Sequence, residues 1–330
     1  MPDSSLPPPT GWQGEGSGGK DTFFVATITD AGGPTAAVVQ DGRVHVVPGR
    51  PSVADLLAGW DAALERLAGD LERGALQDPV DVEGVRFLPP VPGPPNVYMA
   101  GANYADHMRE MRGLGPDEPI RKPEEGPFLF LKPTTTLVGH RSPIVLPSAY
   151  RKVDWEVELA AVVGRRAHRV PASQALAHVA GYTIANDVSV RDAFRRGGRA
   201  EQPMVYDWLA QKGWWTSCPC GPWMLPAPFC PTPGDLGMRL TVNGDIQQDS
   251  RTSEMIFSVE EIIEYLSAIV PLVPGDIICT GTCSGVGAGK NRFLDAGDVV
   301  VAQVEGIGSL ENEAVAESDN ARLQALSASA

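Results

Sequence analysis

The run Val153-Asp154-Trp155-Glu156-Val157-Glu158-Leu159 constrains this chain more than any other stretch. Apolar and acidic residues alternate strictly, and successive side chains of a strand point to opposite faces. The run therefore reads as a strand with Asp154, Glu156 and Glu158 on one face and Val153, Trp155, Val157 and Leu159 on the other. Three carboxylates in a row repel one another. Such a row needs full solvation, as on a charged edge strand, or a cation; these residues alone leave both open.

Two further stretches carry candidate chemistry. In Gly181-Tyr-Thr-Ile-Ala-Asn-Asp187-Val-Ser-Val-Arg191-Asp192 an apolar, strand-like run ends in polar residues, and Asp187 is either a third oxygen ligand or a turn residue. Oxygen ligands without histidine suit Mg²⁺, Mn²⁺ or Ca²⁺ rather than zinc. In Asn103-Tyr104-Ala-Asp106-His107-Met-Arg-Glu110, His107 and Glu110 are three apart and share a helix face. An imidazole oriented by a carboxylate can take a proton from water, although the same spacing also occurs as ordinary surface decoration. The polar Gly/Pro-rich segment that follows, up to residue 126, has the make-up of a lid.

Composition narrows the partners. A formal net charge of −14 repels a phosphate backbone, which excludes nucleic acid, and it obliges a site for a small anion to carry its own positive charge. No stretch approaches the roughly 18 apolar residues of a membrane helix, and the N-terminus lacks the basic and apolar regions of a secretory signal. A cytoplasmic protein is expected. The five cysteines, an odd number, predict buried thiols rather than disulfides, and Cys218-Pro219-Cys220 is spaced too tightly for a zinc pair.

The 330 residues allow a large domain with a smaller one. Residues 1–20 and 317–330 read as tails. Residues 21–90 read as a small β+α unit, with an Asp41-Gly42 hairpin and a helix capped by Ser52, ending at a linker with five prolines between Pro89 and Pro95. Residues 91–316 are strand-dominated. A helix is predicted from about Pro171 to Val179, stopped at Gly181, and another after the capping box Ser258-Val-Glu-Glu261.

Taken in order, NYADHMRE, PFLFLKPTTTLVG, DWEVELAAVVG, GYTIANDVSVRD, the Lys212 segment, LTVNGDIQQ, MIFSVEEIIEYLS, LVPGDIICTGTCSGVG and AGDVVVAQVEGIGSLEN resemble the fumarylacetoacetate hydrolase family over about residues 95–313. The resemblance implies an α+β, mostly β fold: a mixed β-sandwich roll as catalytic domain, a small N-terminal domain, a homodimer, and one Mg²⁺, Mn²⁺ or Ca²⁺ per site. It makes Glu156, Glu158 and Asp187 the metal ligands, His107 and Glu110 the dyad that activates water, and Lys212 the lysine that holds substrate. Arg191, Thr282 and Thr216 fall at substrate-binding positions, and Lys132 at a site or structural position. The implied substrate is a small anionic 2-oxo acid. The implied reaction is C–C hydrolysis of an acylpyruvate or 1,3-diketone, with the resulting enolate stabilised by the cation. Decarboxylation or keto–enol or double-bond isomerisation are the alternatives on the same site. A silent metal-binding relative is opposed by the presence of His107, Glu110 and Lys212 together. The chain departs from the family at Phe194, where many members carry Gln, at Gly213-Trp214 in place of Ser-Phe, and at Cys283 in place of Pro. Arg195, Arg196 and Arg199 form a basic cluster beside the first departure, either solvated or poised for a second carboxylate.

Overall fold

The computed structural model describes residues 22–76, 79–197, 204–230 and 232–318. The expected tails (residues 317–318 apart) and Arg199 lie outside the described residues. Strands β1 (Phe24–Asp30), β2 (Gly33–Gln40) and β3 (Arg43–Val46) form an antiparallel meander. Asp41 and Gly42 both take positive φ, 49° and 71°, as a tight two-residue hairpin requires. Helices α1 (Val53–Leu57) and α2 (Trp60–Glu72) follow, and Ser52 and Asp55 cap α1 reciprocally. Gly59 divides what the periodicity reads as one helix. Short strands β4 (Val80–Asp81) and β5 (Arg86–Phe87) come next.

The larger part runs through β6 (Val97–Gly101), α3 (Ala105–Arg112), β7 (Phe128–Lys132), β8 (Leu137–Val138), β9 (Ile144–Leu146), β10 (Val153–Asp154) and β11 (Val157–Val163). It continues with α4 (Ala172–Ala175), β12 (Val179–Asn186), β13 (Ser189–Val190), α5 (Trp208–Lys212), β14 (Cys218–Pro226), β15 (Gly237–Val242) and β16 (Asp245–Arg251). Helix α6 (Val259–Ile269), β17 (Ile277–Thr282), α7 (Gly287–Lys290), β18 (Val299–Val304) and β19 (Gly308–Ala316) complete it. The fold is strand-dominated α+β, as expected. The helix predicted over 171–179 is corrected: only α4 and a 3₁₀ turn at Leu176–His178 form, and Val179 already opens β12. The apolar run VAGYTIAN is buried between two strands, a setting that apolar content alone does not separate from a buried helix. Gly181 is not a helix stop; a Cβ there would sit 2.3 Å from the Leu225 carbonyl oxygen of β14.

One 12-stranded sheet runs β4-β3-β2-β1-β14-β12-β11-β17-β6-β7, with β5 on β1 and β8 on β14. A second sheet, β16-β15-β18-β19-β9, packs over one face of it. Val157, Leu159, Ala161 and Val163 of β11 meet Met238, Leu240, Val300 and Ala302 of the second sheet, with Ile262, Ile263 and Leu266 of α6. On the opposite face Ala160 and Val162 meet Leu56, Leu57, Trp60 and Leu67 of α1 and α2. β11 therefore has no solvent face, and the charged-edge reading of its glutamates is excluded. All five cysteines are buried free thiols, and burial raises their pKa, Cys218 to about 12.

Candidate active site

Between β10 and β11 the chain leaves the sheet for two residues, and side chains supply the missing backbone partners. Trp155 N–H donates to Asp154 Oδ1 (2.8 Å), Glu156 N–H to Asn186 Oδ1 (2.9 Å) and Val157 N–H to Gln248 Oε1 (3.0 Å). Asp187 N–H donates to the Glu156 carbonyl (2.8 Å), which fixes the end of β12 against the break. Carboxylate oxygens of Glu156, Glu158 and Asp187 consequently converge within 4.8 Å of one another, all buried. Asp154 turns elsewhere. It accepts from Gly287 N–H (2.6 Å), Ala288 N–H (2.9 Å) and Arg191 Nε (2.8 Å), anchoring the start of α7.

Three cations face these four carboxylates. Lys212 Nζ bridges Glu156 (2.8 Å) and Asp187 (2.6 Å). Arg191 spans Asp154 and Glu156 (2.6 Å), and Lys132 is bonded to Asp187, the Val188 carbonyl (3.0 Å) and the Ser217 carbonyl (2.7 Å). Glu158 accepts from Gly281 N–H (2.8 Å). The network is thus one negative charge in excess. The imbalance falls on Glu158: burial first, then the charges of Asp187 and Glu156, push its pKa well above the ordinary carboxylate range. Burial works the same way on Glu156, but Lys212 and Arg191 overcome it and hold Glu156 below that range. Lys212 likewise loses by burial and gains more from Asp187 and Glu156, ending above an ordinary lysine. Three converging oxygens, one without a cationic partner in this network, are a donor set that fits a hard divalent cation.

His107 and Glu110 lie on one face of α3, His107 Nδ1 3.6 Å from Glu110 Oε2. Nδ1 is buried and has no hydrogen-bond partner. Gly285 N–H donates to both Glu110 oxygens (3.1 and 3.0 Å). Burial opposes ionisation of Glu110, but His107, the Gly285 N–H and Lys290 outweigh it and lower its pKa. Gly285 has φ +97°, and a Cβ there would sit 2.1 Å from the Gln247 carbonyl oxygen, so glycine alone fits this approach. Asp106 ties α3 to the same loop through Ser284 Oγ (3.0 Å) and to β16 through Ser250 Oγ (2.7 Å).

The structure thus brings the triad, Lys212, Lys132 and Arg191 into one network, while His107 pairs with Glu110 on α3. Arg191 and Lys132 already hold ligand carboxylates, Lys132 with no exposed side-chain surface. Thr282 pairs across from Glu158, but its hydroxyl donates to the Val157 carbonyl (2.9 Å) and accepts from Gln248 (2.8 Å). Thr216 is buried and accepts from Val145 N–H (2.7 Å). Arg195 lies over the Tyr206 ring, and Arg196 is 3.8 Å from Asp207. Sequence reasoning missed Asn186 and Gln248, which close the break, and Asp106. Asn186 is signalled only as the polar end of the apolar strand VAGYTIAN, whereas Gln248 sits in the polar strand DIQQDSR and Asp106 in the polar helix ADHMREMR, where nothing local marks them.

The fold places the chain within a known enzyme superfamily, and the acidic triad could hold a divalent cation. The family model for fumarylacetoacetate (FAA) hydrolase C-terminal matches residues 96–315, and the chain belongs to that family. It is 42% identical over 233 residues to the oxaloacetate tautomerase FAHD2A, mitochondrial, of Bos taurus, covering 70% of either chain. A 5-carboxymethyl-2-hydroxymuconate delta-isomerase structure from Mycobacterium smegmatis is 32% identical with TM-score 0.69, covering 89% of this chain and 99% of that one. Fumarylacetoacetate hydrolase from Exiguobacterium antarcticum is 30% identical with TM-score 0.69, covering 90% and 100%. Members of this family thus include isomerases, hydrolases and tautomerases, and they use divalent metals. No helix among the described residues is long and apolar enough to cross a membrane.

Proposed function

We propose that the protein acts on a small 2-oxo acid seated at Glu156, Glu158 and Asp187, and that His107 moves a proton at the carbon beside the keto group. The observation that carries this reading is the buried, unpartnered His107 Nδ1 facing a carboxylate that accepts from the Gly285 N–H. A divalent cation on the triad, Mg²⁺ or Mn²⁺ by the ligand chemistry, supplies Lewis-acid polarisation of the keto group when bound. Directing Nδ1–H at Glu110 leaves Nε2 as the lone pair that accepts the proton. Glu110 then offsets the imidazolium charge, and Nε2 delivers the proton to the former keto oxygen to give the enol; the reverse order, from enol oxygen to carbon, gives the keto form. Lys212 bridges Glu156 and Asp187 and adds positive charge for the substrate's carboxylate.

Proton transfer is placed first because the tautomerase relative, at 42% identity, is more similar than the hydrolase structure, at 30%. C–C hydrolysis is the second reading, supported by the residual exposure of the His107 and Glu110 side chains, 12% and 23%, which admits water. There His107 takes a proton from water, hydroxide adds to the distal carbonyl, and the C–C bond breaks with its electron pair leaving as an enolate. The proposal includes a homodimer.

Wild type and His107→Gln are compared at saturating Mn²⁺. Enol absorbance is followed with oxaloacetate, and cleavage products by mass spectrometry with an acylpyruvate. The variant should lose about 10²–10⁴ of the enol–keto rate, the usual contribution of a general base. An unchanged rate removes His107 from the mechanism. Cleavage of the acylpyruvate without acceleration of enol–keto exchange puts hydrolysis in first place.

A further inference from the structure

Along one face of β7 the side chains change character as the strand runs inward. Phe128 is 52% exposed, Phe130 is half-buried, and Lys132 is buried against Asp187. α5 repeats the gradient: Trp208 and Lys212, four apart on one helix face, are 37% and 4% exposed. The two series meet. The Trp208 ring lies 5.2 Å from Phe128 and 5.4 Å from Phe130, and Lys212 Nζ stands 5.5 Å over the Phe130 ring. Phe194 meets Trp208 edge-on at 4.9 Å and stacks on Tyr206 at 4.8 Å. Aromatic rings in contact with one another therefore run from the ammonium that holds Glu156 and Asp187 out to solvent.

Exposed aromatic surface that begins at a buried charged site marks a ligand surface. Flat π-faces add stacking energy for a flat unsaturated group beyond what buried area gives an aliphatic one. Phe194 is the ring that joins Trp208 to Tyr206. We propose that Phe130, Trp208 and Phe194 form the subsite for the substrate's distal part, and that this part is an aromatic ring or a comparably flat conjugated group. The inference rests on the 2-oxo acid reading of the triad given above.

The test is calorimetric titration, with Mn²⁺ present, of oxalate, acetylpyruvate and benzoylpyruvate. Benzoylpyruvate should bind about tenfold more tightly than acetylpyruvate, the scale of one good aromatic contact. That ratio should fall towards one in Phe194→Gln and in Trp208→Leu, two variants of different bulk and polarity. Equal affinities in the wild type, or a ratio unchanged in both variants, overturn the subsite. Oxalate that fails to bind overturns the 2-oxo acid reading beneath it, whereas oxalate that binds beside equal affinities for the other two overturns the subsite alone. Light scattering on the same samples closes the remaining route: a dimer that dissociates in the variants while the ratio holds assigns the rings to a contact between copies, and the proposal falls.

Discussion

At the scale of single residues, Glu156 is the test of the triad. Replacing it with Gln keeps its shape and removes the charge that Lys212 and Arg191 share, so Mn²⁺ affinity measured by calorimetry should weaken by about tenfold or more. His140 offers a prediction unrelated to catalysis. Its Nδ1 accepts from Glu311 N–H (3.1 Å), and burial, with Arg141 adding, lowers its pKa to about 4. In the unfolded chain it titrates near ~6.5. The stabilisation from the neutral ring is complete above that pH and is lost as pH falls towards 4. It amounts to about 2 kcal/mol for a half-buried ring. Urea unfolding between pH 7 and 4 should show this loss, and His140→Gln should flatten that part of the curve. Glu156 and Glu158 were legible because strand alternation is local and chemically odd, whereas Asp187 offered only the polar end of an apolar run. The separate fate of Asp154 was not, since it depends on backbone N–H groups of Gly287 and Ala288, far along the chain.

At the scale of elements, local signals served well and buried ones poorly. The hairpin at Asp41-Gly42 and the reciprocal cap between Ser258 and Glu261 follow from a few neighbouring residues. The interruption between β10 and β11 has no such signal, because Asn186 and Gln248 close it from other strands. The lid expected after His107 lies along residues 113–126 and is held at two points near its middle, Glu118 and Lys122. Arg109 holds Glu254 (3.1 Å) and the Glu118 carbonyl (2.9 Å), while Lys122 holds both oxygens of Glu261 (2.5 and 2.6 Å) at the start of α6. Exposed ion pairs of this kind contribute only about 0–1 kcal/mol, so they can guide a segment without locking it. Hydrogen exchange across 113–126 should slow when Mn²⁺ and oxalate are added. Lys122→Met should speed exchange there without ligand, with little change in melting temperature. Equal exchange with and without ligand would remove the lid.

At the scale of the whole molecule, the N-terminal unit shares structure with the remainder. β1 pairs with β14 at Val25 and Met224, and Trp60 and Leu67 lie in one cluster with Ala160, Val162 and Cys279. The proposed boundary near residue 90 therefore should not divide the unfolding. A single calorimetric transition is expected, coincident with the tryptophan signal, and two resolved transitions would show separate cooperative units. The ledger of four carboxylates and three cations around the triad has a kinetic consequence. With a divalent cation in place and any proton on Glu158 displaced, the network of four carboxylates and three cations carries one net positive charge, but only over the few ångströms that water does not screen. Farther out, an approaching anion meets the field of a chain carrying −14. Dissolved salt shrinks that outer field, whose reach is about 30 Å at 0.01 M and about 8 Å at 0.15 M, and barely touches the buried inner one. Encounter with a 2-oxo acid should therefore quicken as ionic strength rises, the reverse of ordinary electrostatic steering, and kcat/KM should climb between those two concentrations while the affinity for Mn²⁺ falls.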